Sequence, residues 1–145
     1  QASLADIGIH VTITAIPWAD AVATFADPAT SPDLFPLYSS TAFADPDNFL
    51  WVAFHSSQAG QWTNPGYYAN PAVDALLEQA RASTDQAQRS DLYAQAEEMI
   101  LTDAPNLFLV ASPEDHVLGA RILNYADYYC PVMGSMEDFY FFQVQ

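Results

Sequence analysis

The stretch Asn70-Pro71-Ala72-Val73-Asp74-Ala75-Leu76-Leu77-Glu78-Gln79-Ala80-Arg81 carries the strongest local signal in the chain. An asparagine ahead of a proline reads as an N-cap followed by a residue whose fixed φ suits the first helical position. Val73, Leu76, Leu77 and Ala80 then recur at i, i+3, i+4 and i+7, which gathers one apolar stripe on a helix ending near Ser83. Ser83 with Gln86 resembles a capping box opening a second helix. Leu92, Tyr93, Ala96, Met99 and Ile100 give that helix its core face, and Ala104-Pro105 ends it.

Upstream, Asp45-Pro46-Asp47-Asn48 before Phe49, Leu50, Val52 and Ala53 predicts another cap, a first-turn proline and a short apolar helix. The carboxylates of Asp45 and Asp47 are explained by that helix start rather than by a metal, because no third oxygen ligand follows at EF-hand spacing. Pro17 opens a further helix carrying Trp18, Ala21, Val22 and Phe25 on one stripe until Asp27-Pro28. Two extended elements flank these helices. Residues 8–16 alternate Ile9, Val11 and Ile13 with His10, Thr12 and Thr14, the period of a half-buried strand, while 106–112 is an apolar run suited to a buried strand. Leu34 to Ser40 reads as a short extended run and Val117 to Ile122 as a weaker element. Between Phe54 and Ala69, two glycines, a proline and Asn64 surround Trp62, Tyr67 and Tyr68, which predicts a long loop with exposed aromatic surface. The last twenty residues hold Phe139, Tyr140, Phe141 and Phe142, more aromatic surface than a free tail tolerates, so they are expected to pack on a partner surface.

Composition narrows the function. The chain has 145 residues, 51% of them hydrophobic, with 18 acidic side chains against 3 basic ones and a net charge of -15. Binding nucleic acid requires Lys and Arg to neutralise phosphates, and Arg81, Arg89 and Arg121 form no patch, so nucleic acid and anionic membranes are excluded as partners. The acid excess reads as a solvated face, with attraction of cationic ligands or adaptation to a salty exterior as its functional alternatives. Cys130 has no partner for a disulfide or a zinc site, and His10, His55 and His116 are isolated, so no metal and no cofactor is expected. No nucleophile elbow or phosphate-binding glycine loop is present, and no catalytic residue is assigned.

The pieces Leu4-Ala5-Asp6-Ile7-Gly8-Ile9, Trp18, Asp45-Pro46-Asp47-Asn48-Phe49-Leu50, Tyr68-Ala69-Asn70-Pro71-Ala72-Val73-Asp74-Ala75-Leu76-Leu77, Ala80-Arg81, Asp85 to Arg89, Leu92-Tyr93, Ala96-Glu97 and Asp103-Ala104-Pro105 occur in this order. Together they resemble the C-terminal part of the extracellular solute-binding proteins of ABC importers, family 5, which serve peptides, nickel and oligosaccharides. The resemblance implies an α/β fold, a periplasmic-binding-protein-like lobe with a mixed sheet flanked by helices, incomplete relative to the family's two lobes. Residues 1–106 are expected to form the second, C-terminal lobe, and 107–145 the return crossing and a C-terminal segment packing on the first lobe. That first, N-terminal lobe and any signal peptide are expected to lie outside this chain.

For function, the resemblance implies a non-enzymatic periplasmic or cell-surface receptor that closes on a small solute, an oligopeptide or oligosaccharide, and presents it to ABC permease subunits. Peptide-binding members hold the ligand's amino terminus with an acidic residue three positions before the Asp-Pro pair and place a tryptophan three residues earlier. Ala42 and Ser39 stand at those positions here. Without that carboxylate, a neutral or amphipathic solute held by hydroxyls and rings is expected, and the expected ligand contacts are Trp18, Ser39, Ser40, Thr41, Phe43 and Trp62. Trp18 also has a packing role open to it on its helix stripe, and Trp62 with Tyr67 divides between a lid-like contact and surface packing. Two further readings remain open from the residues alone: a carbohydrate-active hydrolase fragment using paired carboxylates, and a stand-alone acidic interaction domain.

Overall fold

The computed structural model of the chain describes residues 1–39, 43, 45–110 and 117–125. Five α-helices stand among them: α1 (Ala2–Ala5), α2 (Trp18–Phe25), α3 (Asp47–Phe54), α4 (Pro71–Ala82) and α5 (Gln86–Asp103), with a single 3-10 turn at Ser56–Gln58. Helix α4 begins as its cap dictates, the Asn70 side chain accepting the Ala72 amide at 3.0 Å with Pro71 in the first helical position. Its expected stripe is the buried one: Val73, Leu77 and Ala80 are fully enclosed.

The start of α5 differs from the expected capping box. Asp85 is the cap, its Oδ1 accepting the Ala87 and Gln88 amides at 2.9 and 3.2 Å. Ser83 instead donates to the Gln88 side chain at 2.7 Å and accepts the Asp85 amide. An aspartate carries a full charge into the positive end of the helix, which a serine does not, so it takes the capping position. The helix ends where expected, at Ala104 in the left-handed region (φ 49) before Pro105.

Helices α3, α4 and α5 build the core. Phe54 from α3, Val73 and Leu77 from α4, and Ile100 from α5 have essentially no exposure, and each contributes about 1.5–3 kcal/mol of burial. Ala80 and Ala96, both fully buried, let the α4 and α5 backbones approach closely. Trp51, Tyr68, Leu76, Leu92 and Met99 cover the edges of this cluster.

Among the described residues there is no β-strand, so the mixed sheet does not appear there. The alternating segment 8–16 forms no ladder, and Ile9, Ile13 and Ile16 are exposed. Residues 107–110 were expected as a buried strand; they too are unpaired, and Leu107, Leu109 and Val110 point into solvent. The cause is common to both. A strand saturates its backbone only against a neighbour, and the described residues offer these segments none. Residues 34–39 are likewise irregular, and 119–122 closes as a turn, the Ile122 amide bonding the Gly119 carbonyl. The predictions for Ser40, for Ala111 and Ser112, and for the last twenty residues fall outside the described residues.

Candidate functional site

Helix α2 starts at Trp18 because Pro17 sets the backbone ahead of it and its carbonyl accepts the Ala21 amide. Its inner face is Ala21 and Phe25, both buried, and Phe25 stacks edge-on against Phe35 with ring centroids 4.5 Å apart. Trp18 starts the same stripe but lies at its exposed end. It is 54% exposed among the described residues, and it meets Trp62 edge-on, centroids 5.8 Å apart at 74°. Trp62 is itself 39% exposed. The structure thus brings together two of the expected contact residues across 44 positions of sequence, in a pair that faces solvent. Edge-to-face rings at this spacing attract each other beyond their area burial.

The loop that supplies Trp62 is built rather than slack. Buried Asn64 accepts the Tyr68 amide at 2.9 Å and donates to the Tyr68 carbonyl at 3.0 Å, while the Asn64 carbonyl accepts the Gly60 amide and closes the turn containing Trp62. Tyr67 sits in the left-handed region (φ 56), where a bulky side chain is an outlier, and its hydroxyl donates to the Phe25 carbonyl at 2.6 Å. Burial raises the Tyr67 phenol above its ordinary range, with the Asp27 charge adding to it. A second tether runs from Ser31 Oγ to the Pro65 carbonyl at 2.8 Å.

Of the other expected contacts, two fall among the described residues. Ser39 and Phe43 are exposed, and Phe43 has no ring partner among the described residues. Ser40 and Thr41 lie outside the described residues. Two shallow cavities are lined by other described residues. One of about 410 Å³ is lined by Leu76, Gln95, Glu98, Met99, Thr102 and Asp103. The other, about 200 Å³, lies between α3 and α5 and is bounded by Phe49, Phe54, Ile100 and Phe108.

The start of α3 is fixed by contacts that the sequence alone does not reveal. Helix α3 starts one residue later than expected, with Pro46 rather than Asp45 in the cap position; Asp45 Oδ1 still accepts the Asp47 amide, the same carboxylate takes Arg89 at 3.0 and 3.1 Å, and Asp47 takes Arg81 at 2.8 Å. Arg81 further lies 3.7 Å over the Trp51 ring, whose other neighbour is the stacked ring of His55. Only the scarcity of basic residues hinted that the two arginines would be matched this way. Among the described residues no group of three or more His, Cys, Asp or Glu is arranged to hold a metal ion.

No family model matches the chain. It is similar, at 41% identity over 70 residues, to the probable D,D-dipeptide-binding periplasmic protein DdpA of Escherichia coli (strain K12), covering 48% of this chain and 14% of that protein. It is also similar to probable di/tripeptide-binding protein 5 of Pseudomonas aeruginosa (strain UCBPP-PA14), at 32% identity, covering 69% of this chain and 19% of the relative. The solved structure of the ABC transporter-associated periplasmic binding protein DppA from Helicobacter pylori, in complex with the peptide STSA, superposes with a TM-score of 0.60 at 32% identity, covering 72% of this chain and 20% of that one. The chain therefore spans about a fifth or less of the length of these proteins, which are binding proteins rather than enzymes. The order of its caps and helix stripes and its likeness to these proteins lead to one conclusion: the chain belongs, as a partial segment, to the family 5 peptide-binding periplasmic proteins of ABC transporters.

Proposed function

We propose that this chain forms one wall of the solute cleft of an importer receptor, and that the solute is a peptide. The observation that carries the reading is the solvent-facing Trp18–Trp62 pair, two large rings held against each other by a built loop and left open on one side. Such a surface suits the flat amides and apolar side chains of a short peptide. By the family resemblance Ser39, Ser40, Thr41 and Phe43 add hydroxyls and a ring, and Ala42 supplies no carboxylate for a charged amino terminus. The relatives named for dipeptides and tripeptides, and the neighbour holding STSA, support the peptide over the saccharide.

In this reading residues 1–106 are the second lobe, and the chain from Leu107 onward crosses to a first lobe made of polypeptide outside this stretch. Phe108 supports the crossing: its ring tilts onto Phe54 while its neighbours in sequence face solvent. The solute stabilises a closed state by touching both lobes, and permease subunits recognise that state in the periplasm or at the cell surface. No cofactor takes part. A thermal-shift screen of di-, tri- and oligopeptides beside mono- and oligosaccharides, on the receptor with both lobes, tests it, because a bound solute raises the unfolding midpoint by mass action. Stabilisation by peptides is expected; stabilisation by saccharides alone, or by nothing in the screen, overturns it.

A further inference from the structure

We infer that Tyr67 is a positioning residue that sets the Trp18–Trp62 pair by holding helix α2 at its far end. Three groups converge at one point: the Tyr67 hydroxyl, the Phe25 carbonyl at the last residue of α2, and the backbone of Gly60. The hydroxyl donates to that carbonyl at 2.6 Å, and a Cβ placed on Gly60 would lie 2.9 Å from the same hydroxyl and 3.3 Å from the carbonyl. Gly60 is itself in the left-handed region (φ 80), so both its missing side chain and its backbone freedom are used.

The carbonyl at a helix end has no partner within the helix, and here a side chain from the 59–68 loop supplies one. Trp18 lies at the opposite end of α2, about 10 Å away along a helix rising 1.5 Å per residue. The same loop therefore grips α2 twice, through Tyr67 at the C-terminal end and through Trp62 at the N-terminal end. Ala21 and Phe25 stand apart from the cluster that joins α3, α4 and α5, so the loop contacts, with Phe35 on Phe25 and the Ser31–Pro65 bond beyond the helix end, set its direction, and among the described residues only Tyr67 bonds the helix's own last carbonyl. Releasing one end lets the helix swing about the other, and the ring pair is the contact that a swing breaks.

The backbone at Tyr67 supports the assignment. A tyrosine at φ 56 is held against its own steric preference, and such outliers persist where surrounding contacts over-determine them. The ring is placed by that backbone so that its hydroxyl reaches Phe25.

The inference concerns the pair's geometry and holds whether or not the solute is a peptide. Two indoles in edge contact give an exciton couplet in circular dichroism, a ligand-free signature of their mutual angle. The couplet is assigned on the full chain by its disappearance in both W18F and W62F. Tyr67→Phe, which removes only the hydroxyl, is then expected to lose the couplet at a temperature where the helical signal is intact. Gly60→Ala, which presses on the same hydroxyl from the other side, is expected to lose it too. A couplet retained in a folded Tyr67→Phe overturns the inference and leaves Tyr67 a purely structural tether; should that variant unfold, a couplet retained in Gly60→Ala overturns it equally. Failure of the peptide screen with loss of the couplet intact refutes the proposed solute alone.

Discussion

Arg89, in the first turn of α5, grips Asp45 with both terminal nitrogens of its guanidinium, Nη1 to Oδ2 at 3.0 Å and Nη2 to Oδ1 at 3.1 Å. The fork geometry matches a carboxylate as a lysine ammonium cannot. Arg89 also donates through Nε to the Ala80 carbonyl at 3.1 Å and through Nη2 to the Tyr93 hydroxyl at 3.2 Å, so one side chain joins the start of α3, the end of α4 and the body of α5. Asp47, two residues on, makes a second such link to Arg81 on α4. In a chain of net charge -15, two of its three basic residues are spent on holding the same helix start.

The pair makes stability depend on acid. The Arg89 hydrogen bonds hold the Asp45 carboxyl below its ordinary value of 3.8, with the Asp47 amide assisting against burial. A carboxyl depressed in the folded state stabilises fully above the unfolded value, and that contribution is lost as pH falls through the lower, folded value. The gap in unfolding midpoint between the parent chain and Asp45→Asn is therefore expected to stay constant from neutral pH to about pH 5 and to narrow below about pH 4. Taking the difference between the two removes the general relief of acidic repulsion. A gap that does not change with pH removes the pair from the account.

Tyr68 gives the opposite dependence at high pH. Its phenol is pushed up to about 12, first by burial and then by its hydrogen bond to Asp103, 2.6 Å away. A raised phenol stabilises fully below the unfolded value of about 10 and loses that contribution as pH climbs towards 12. Tyr68→Phe is expected to flatten this alkaline loss. It should also let the Asp103 carboxyl, held low chiefly by Tyr68 and then by Asn70, rise towards its usual range. Phenolate absorbance and carboxyl NMR shifts read the two ends of the bond separately.

What was legible in the sequence was what local chemistry decides. Asn70-Pro71 and the stripe Val73, Leu77, Ala80 specify α4 without reference to anything distant, and the structure keeps both. Pro17 and Asp45 announce helix starts for the same reason. The segment 8–16 has a strand's alternation but no partner among the described residues, and periodicity says which face would be buried, not whether a neighbour exists. Trp18 is legible through family resemblance and Trp62 as a ring in a long aromatic loop, yet their contact depends on Tyr67 reaching Phe25 across 42 residues, which no local pattern encodes. The arginine clamps were illegible likewise: Arg89 and Asp45 are 44 residues apart.

The two candidate caps of α5 can be separated by substitution. Asp85→Ala removes an acceptor that serves two helix amides and is expected to cost about 0.5–2 kcal/mol. Ser83→Ala removes hydrogen bonds to the Gln88 side chain and the Asp85 amide, outside the helix's own orphan donors, and is expected to cost less. Urea unfolding of the two variants should rank them in that order, and the reverse order would restore Ser83 as the cap.

Leu77 tests how much of the chain's stability the three-helix cluster supplies. It is fully buried between Val73, Ala80 and the α5 face, and truncation to alanine is expected to cost about 2–5 kcal/mol. Against the 5–15 kcal/mol typical of a whole domain, that loss should lower the thermal midpoint sharply. Leu107→Ala, at an exposed site outside the cluster, should leave the midpoint nearly unchanged. Equal effects of the two would show that Leu107 is covered in solution.

The tryptophan pair should act on a peptide as one surface. If a peptide lies across both rings, Trp18→Ala and Trp62→Ala each lose an aromatic anchor and each leave the other ring without the neighbour that orients it. Each is expected to weaken peptide binding about tenfold or more, the scale of a buried aromatic contact. The double variant should lose little beyond either single one, because residues in contact couple rather than add. Additive losses would mean that the two rings contact the peptide independently, and unchanged affinity in both single variants would place the peptide elsewhere on the chain.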